Sequence, residues 1–167
     1  MFFYLFVYII VIIDQALKIL IHRFMALGQT IPLIKSLLNL TYVRNTGAAF
    51  SLFVGFSPYL VVVGLVVVAA VIFFHHRFSA KKQIVHVALA FILAGSIGNL
   101  LDRFFRGYVI DYIDIGGWPV FNFADIMINV GVILFLLFVF EEEKYEREEE
   151  WEEKQFCEGV YHTCCDD

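Results

Sequence analysis

Four runs of apolar residues, near positions 2–21, 58–76, 84–104 and 121–140, each approach or reach the roughly 20 residues that cross a hydrocarbon core as a helix. No other feature limits the fold as strongly, because four spans leave little of a 167-residue chain for a soluble domain. The mean hydropathy of +0.78, with 60% hydrophobic residues, agrees with that reading and exceeds ordinary soluble usage. The expected fold is mainly α and integral to a membrane. It has four transmembrane helices, a small extracytoplasmic β-like platform and an outer loop over the site. The first run lacks a basic leader and a clear small-residue cleavage site and carries Asp14 and Lys18, so it reads as a retained span rather than a secretory signal.

Charge is distributed unevenly. The formal net charge of -5 comes largely from a tail holding Glu141 to Glu143, Glu146, Glu148 to Glu150, Glu152 and Glu153, and no basic patch supports binding of nucleic acid. The short basic loop His75-His76-Arg77-Phe78-Ser79-Ala80-Lys81-Lys82 is of the kind that stays cytoplasmic, which places both termini inside and the segment between the third and fourth spans outside. The expected organisation is a membrane domain over 1–140 and an acidic cytoplasmic tail over 141–167. Within the membrane domain an outer platform covers about 22–57, a cytoplasmic loop about 76–83 and an outer catalytic loop about 105–120. Cys157, Cys164 and Cys165 all lie in the tail and cannot staple the core. Adjacent Cys164 and Cys165 beside His162, and the pair His75 and His76, lack the ligand spacing of a zinc site, so no metal is expected.

Polar residues inside apolar spans are costly and usually functional. Asp14 and Lys18 are spaced i,i+4 on one face of the first helix, either as a buried ion pair that fixes packing or as a direct part of a site. In the third span Gly95, Asn99, Asp102 and Arg103 follow helical spacing, and Gly98 permits close helix approach. Asn122, Asp125 and Asn129 share a face at the start of the fourth. Ile31 to Ile34, Leu38 to Val43 and Val109 to Ile115 read as short strands. Asn45 and Gly47 stand in a small-residue turn where another backbone can come close.

Two carboxylates brought together in a partly dry site cannot both ionise easily, so the pair can divide acid and base roles, one activating water and the other polarising a carbonyl. That is the chemistry of an aspartyl peptidase. No Gly-x-Ser-x-Gly nucleophile turn and no phosphate-cradling glycine loop competes with it. Asp14, Asp102, Asp111, Asp114 and Asp125 are all available. With Arg103 next to it, Asp102 suits a structural network, which puts Asp111 with Asp125 slightly ahead of Asp102 with Asp125 on chemistry alone. A small proton-coupled or ion-conducting protein is the alternative, because intramembrane carboxylates also mark ion pathways.

Five motifs in order resemble the lipoprotein signal peptidases, also called signal peptidase II. They are Asp14-Gln15-Ala16-Leu17-Lys18, Asn45-Thr46-Gly47-Ala48-Ala49-Phe50-Ser51, Gly98-Asn99-Leu100-Leu101-Asp102-Arg103, Val109-Ile110-Asp111-Tyr112-Ile113 and Phe121-Asn122-Phe123-Ala124-Asp125. The resemblance spans about residues 10–140. It implies a peptidase of the bacterial cytoplasmic (inner) membrane that removes signal peptides from diacylglyceryl-modified prolipoproteins, cutting before the lipidated cysteine. It also implies Asp111 and Asp125 as catalytic residues. Asp14, Lys18, Asn45, Gly47, Asn99, Asp102, Arg103 and Asn122 become substrate-binding or supporting residues. The implied partners are the prolipoprotein and membrane lipid, the enzyme is expected to act as a monomer, and no cofactor is implied. The connection between Asp111 and Asp125 is short for that pattern, and the acidic tail lies outside it.

Overall fold

The computed structural model of the chain describes residues 2–35, 37–47, 57–79 and 82–163. Helix α1 (Phe2–Phe24) leads to the hairpin β1 (Thr30–Ile34) and β2 (Leu38–Asn45). Helices α2 (Ser57–Arg77) and α3 (Gln83–Arg106) follow, then strand β3 (Val109–Asp114) and helix α4 (Phe123–Thr163). The stretches Phe2–Phe24, Tyr59–Arg77, Gln83–Arg106 and Phe123–Tyr145 are long and apolar enough to cross a membrane. At about 1.5 Å per residue, each is close to the ~30 Å of a hydrocarbon core.

The central helix is α3, which packs against α1, α2 and α4. Its sequence explains that position. Val85, Ala88, Leu89, Ala90, Leu93, Ala94, Gly95 and Gly98 are buried, and small residues recur at the crossings. A Cβ on Gly95 would stand 2.3 Å from the Ala124 carbonyl oxygen, and one on Gly131 would stand 2.6 Å from that of Ala88. One on Gly98 would meet the Asp14 carboxylate at 2.5 Å. Membrane helices gain little from the hydrophobic effect when they associate, so this backbone approach is what packs them. By contrast α2 presents Val62, Val63, Leu65 and Val66 outward, as a lipid-facing wall should.

The three strands form one antiparallel sheet in the order β1-β2-β3. The expected strands are all present, and β3, read as part of an outer loop, joins the platform. Gly107 ends α3 in the left-handed region at φ 78°, its N–H reaching the Arg103 carbonyl at 3.1 Å, a turn that glycine makes without a Cβ penalty. The chain is thereby redirected straight into β3. Met25, Tyr42, Ile110 and Tyr112 form a second buried cluster that fastens the sheet to the ends of the helices. From Asp114 the chain turns through Gly116 and Gly117 and comes back on itself, Phe121 bonding to Ile113 in both directions at 2.7 and 3.0 Å. That return brings the start of α4 beside β3 and fixes the short connection between Asp111 and Asp125. The acidic segment from Glu141 onward continues α4 as helix, with Lys82 ion-paired to Glu142 at its start. Ala48 to Ser51 of the second motif, and Cys164 and Cys165 of the tail, lie outside the described residues.

Candidate active site

Asp111 lies on β3 and Asp125 in the first turn of α4, and three carboxamides converge on them. Asn45 faces Val109 across the sheet while Val43 faces Asp111, so Asn45 and Asp111 share one face diagonally. Asn45 Nδ2 donates to Asp111 Oδ2 at 2.9 Å. Asn122 Nδ2 donates to the other oxygen, Oδ1, at 2.6 Å. From α3, Asn99 Nδ2 donates to Asp125 Oδ1 at 2.7 Å, and the Asn122 backbone N–H donates to Asp125 Oδ2 at 3.2 Å. Every oxygen of the two carboxyl groups therefore meets an N–H donor. Neither group forms an ion pair among the described residues.

The orientation of each carboxamide follows from the other end of the amide. Asn99 Oδ1 accepts from the Lys18 ammonium at 2.9 Å, Asn122 Oδ1 from the Asp125 backbone N–H at 3.0 Å, and Asn45 Oδ1 from the Gly47 N–H at 3.0 Å. All three partners can only donate, so each oxygen must face its partner and each NH2 must face a carboxylate. The reciprocal bonds between Asn122 and Asp125 are a capping box with an aspartate in the usual glutamate place. Here the structure differs from the helical-face reading of Asn122, Asp125 and Asn129: Asn122 precedes α4 and caps it. The need of the first helical turn for acceptors outweighs the i,i+3 spacing.

Beneath this pair lies an ionic cluster. Lys18 is fully buried and donates to three acceptors, Asp14 at 2.9 Å, Asp102 at 3.0 Å and Asn99 at 2.9 Å, which accounts for all three ammonium protons. Asp14 also accepts the Ala124 N–H at 3.1 Å, and Asp102 accepts the Ile110 N–H at 3.2 Å. Ala124 immediately precedes Asp125, and Ile110 immediately precedes Asp111. Each carboxylate of the cluster thus holds the backbone next to one aspartate of the pair.

The ten residues that the resemblance implied all fall in or against this constellation, and the partners of Asp102 differ from expectation. Asp102 is neutralised by Lys18 and Arg106, not by its neighbour Arg103. Adjacent residues on a helix point about 100° apart. Arg103 turns instead toward the Gly47 carbonyl, 3.4 Å from its NH2, and lines the cavity over the pair. Gln15 and Arg106 join the cluster from outside those ten. Gln15 Nε2 donates to Asp14 at 3.1 Å and to the Gly98 carbonyl at 3.1 Å, and its Oε1 accepts from Arg106 at 3.2 Å. The i,i+4 spacing of Asp102 and Arg106 was the available signal.

The cavity holds about 830 Å³ and is lined by Asp111, Asp125, Asn99, Arg103, Trp118 and an apolar face of α4 that includes Ile133. Burial, reinforced by the Asp125 carboxylate, pushes the Asp111 carboxyl up to about 7. A group that keeps its proton near neutrality beside a second carboxylate can serve as acid to that partner's base. Among the described residues no group of three or more His, Cys, Asp or Glu side chains is arranged to hold a metal.

Residues 6–141 match the family described as Signal peptidase (SPase) II. The chain is 36% identical over 141 residues to a lipoprotein signal peptidase of Halothermothrix orenii, a match covering 84% of this chain and 97% of the relative. It is 40% identical over 140 residues to one of Geobacter metallireducens, covering 80% and 86%. Its fold is similar to a solved bacterial membrane enzyme with a TM-score of 0.81 at 30% identity, covering 84% of this chain and 88% of that one.

Proposed function

The chain belongs to the signal peptidase II family, and from that premise we propose that it removes signal peptides from prolipoproteins as an intramembrane aspartyl endopeptidase. The substrate in this reading carries a diacylglyceryl-modified cysteine, and the cut falls just before it. Asp111 and Asp125 are the catalytic residues. Asp14, Lys18, Asn45, Gly47, Asn99, Asp102, Arg103 and Asn122 bind substrate or hold the pair in place. The observation that carries the proposal is the pair itself: two carboxyl groups whose four oxygens are met by oriented N–H donors, with no ion pair to either among the described residues.

In the chemical step, ionised Asp125 takes a proton from water while the water oxygen attacks the scissile carbonyl carbon. Asp111 gives its proton to the carbonyl oxygen, forming a tetrahedral diol. Collapse of the diol breaks the C–N bond, and the proton held by Asp125 passes to the leaving nitrogen. The products are a carboxylic acid and an amine, and a proton returned from the diol restores Asp111. Arg103, on the cavity wall, is placed to stabilise charge developing on the tetrahedral oxygen.

The membrane domain of 1–140 sits in this reading in the bacterial cytoplasmic membrane as a monomer. The basic loop and the acidic tail lie inside, with the platform and the outer catalytic loop outside. A lipidated substrate then arrives laterally with its scissile bond near the outer interface. The test is cleavage of a diacylglyceryl prolipoprotein by purified protein, with the new amino terminus identified as the lipidated cysteine. Proton flux through reconstituted protein without cleavage would overturn the reading and favour an ion-conducting role.

A further inference from the structure

Asn129 has no duty in the constellation above. It lies one turn beyond Asp125 on α4, is exposed, and lines the same cavity. With Ile126, Val130 and Ile133 it forms a stripe at helical spacing, and the other three members are apolar. One N–H of its amide goes to the Asp125 carbonyl at 2.9 Å. Its oxygen and its second N–H have no partner among the described residues. A carboxamide so exposed within a membrane-spanning stretch is costly unless something pairs with it.

We propose that Asn129 is a binding residue for the substrate backbone, its Oδ1 accepting a peptide N–H and its free N–H donating to a peptide carbonyl on the signal-peptide side of the scissile bond. The proposal rests on the prolipoprotein-cleaving reading. Its geometry is simple. Four residues of α-helix rise about 6 Å, and an extended peptide advances about 3.3 Å per residue, so Asn129 stands about two residues from the bond over Asp125. The direction is also set, because α4 continues from Asp125 into its apolar span and Asn129 therefore lies on the membrane side of the pair. An extended segment entering there carries backbone groups that have no water to pair with. The amide offers the one donor and one acceptor such a segment needs, and it does so whatever the substrate side chains are. Shape would then be read by Ile126, Val130 and Ile133, and the backbone by Asn129.

The test is steady-state cleavage of a diacylglyceryl prolipoprotein peptide by wild type, Asn129→Leu, Asn129→Ala and Asn129→Gln, with a parallel set of substrates in which single amides two or three residues before the cut are replaced by esters. The expected result is a rise in KM of about tenfold for the leucine and alanine variants, the scale of one or two net hydrogen bonds. Their kcat should stay within about twofold and their melting temperature unchanged, and the glutamine variant should recover part of the loss. One ester substrate should weaken binding to wild type by a similar factor and to Asn129→Leu by no more. Unchanged KM in both apolar variants overturns the proposal, and so does a KM rise confined to leucine, which would be steric. A fall in kcat alone also overturns it, since that would mean the amide only steadies Asp125. Additive effects of variant and ester do the same. Wild type that cleaves no prolipoprotein overturns the underlying reading instead, and the two failures are distinct.

Discussion

Four aspartates are gathered at one end of the helical bundle, and they fall into two pairs with opposite surroundings. Asp14 and Asp102 share the Lys18 ammonium, with Arg106 added at one edge. Among the described residues, the hydrogen bonds to Asp111 and Asp125 come from uncharged N–H donors. The Lys18 ammonium balances the first pair from within, and the carboxyl oxygens of that pair hold backbone amides in place. Neutral donors stabilise a carboxylate more weakly and leave a proton free to move. The first pair is therefore suited to positioning and the second to chemistry, although composition and burial hardly distinguish them: Asp14, Asp102 and Asp111 are all buried.

The comparison breaks first if the two pairs respond alike to neutralisation. Asp111→Asn or Asp125→Asn is expected to abolish prolipoprotein cleavage, by more than about 10³-fold, at a cost of about 1–3 kcal/mol of stability because the new NH2 faces an oriented N–H donor. An asparagine keeps the shape of the side chain but can neither take nor give the proton the step requires. Appreciable turnover in either variant would remove the dyad assignment.

Next is the shared cation. Lys18→Met removes the cation that Asp14 and Asp102 share, leaving Asp102 only Arg106 at its rim, and leaves Asn99 Oδ1 with the Asn122 amide at 3.2 Å as its donor. Loss of about 3–5 kcal/mol of stability is expected, the usual scale for breaking a buried pair from one side. A melting temperature equal to wild type would mean that the cluster is not an electrostatic brace. Asn99→Leu isolates the link between the two pairs. It removes the donor to Asp125 Oδ1 and the acceptor for Lys18, so kcat should fall by about 10- to 100-fold, as expected for a lost hydrogen bond to a charged group.

The pairs should also differ with pH. With the Asp111 carboxyl raised to about 7, its protonated form is the species present below that value and is lost above it. Activity that needs this proton should hold on the neutral and mildly acid side and fall about tenfold per pH unit once pH exceeds about 7. The stability sign follows from linkage. A carboxyl raised in the folded state favours folding in acid, and that contribution is lost as pH rises from the ordinary carboxylate range through about 7. The check is kcat/KM across pH 5 to 9, flat below and falling above about 7. A profile rising through pH 7 to 9 would give the acid role to another group.

The division of labour between the pairs was only partly legible in the sequence. The four spans could be read because apolar runs of that length admit few other structures, and Asp14 with Lys18 because both lie one turn apart on the same helix. The five motifs gave the family and, with it, the ten residues. The partners of Asp102 could not be read from adjacency, since Arg103 follows it in sequence but points elsewhere, and Lys18 reaches it from another helix. The role of Asn122 was hidden for a similar reason. Its spacing to Asp125 fits a helical face, and only the hairpin through Phe121 shows that the helix begins after it. Tertiary contacts between α1, α3 and α4 decide these cases, and no local pattern encodes them.

Arg106 gives the smallest expected effect and the finest test of the comparison. It pairs with Asp102 on the side away from Lys18 and donates to Gln15 Oε1 at 3.2 Å, and its side chain is 23% exposed while that of Asp102 is 0% exposed. Water can therefore replace the guanidinium, and Lys18 still balances Asp102 from within. Arg106→Gln should cost about 1 kcal/mol or less, the range of a partly exposed ion pair, and leave kcat near wild type. If the cost approached that of Lys18→Met, the neutralising charge of the cluster would lie at its rim. The buried lysine would then serve chiefly to orient Asn99, and the contrast between a charged brace and a pair met by uncharged donors would rest on Arg106 instead.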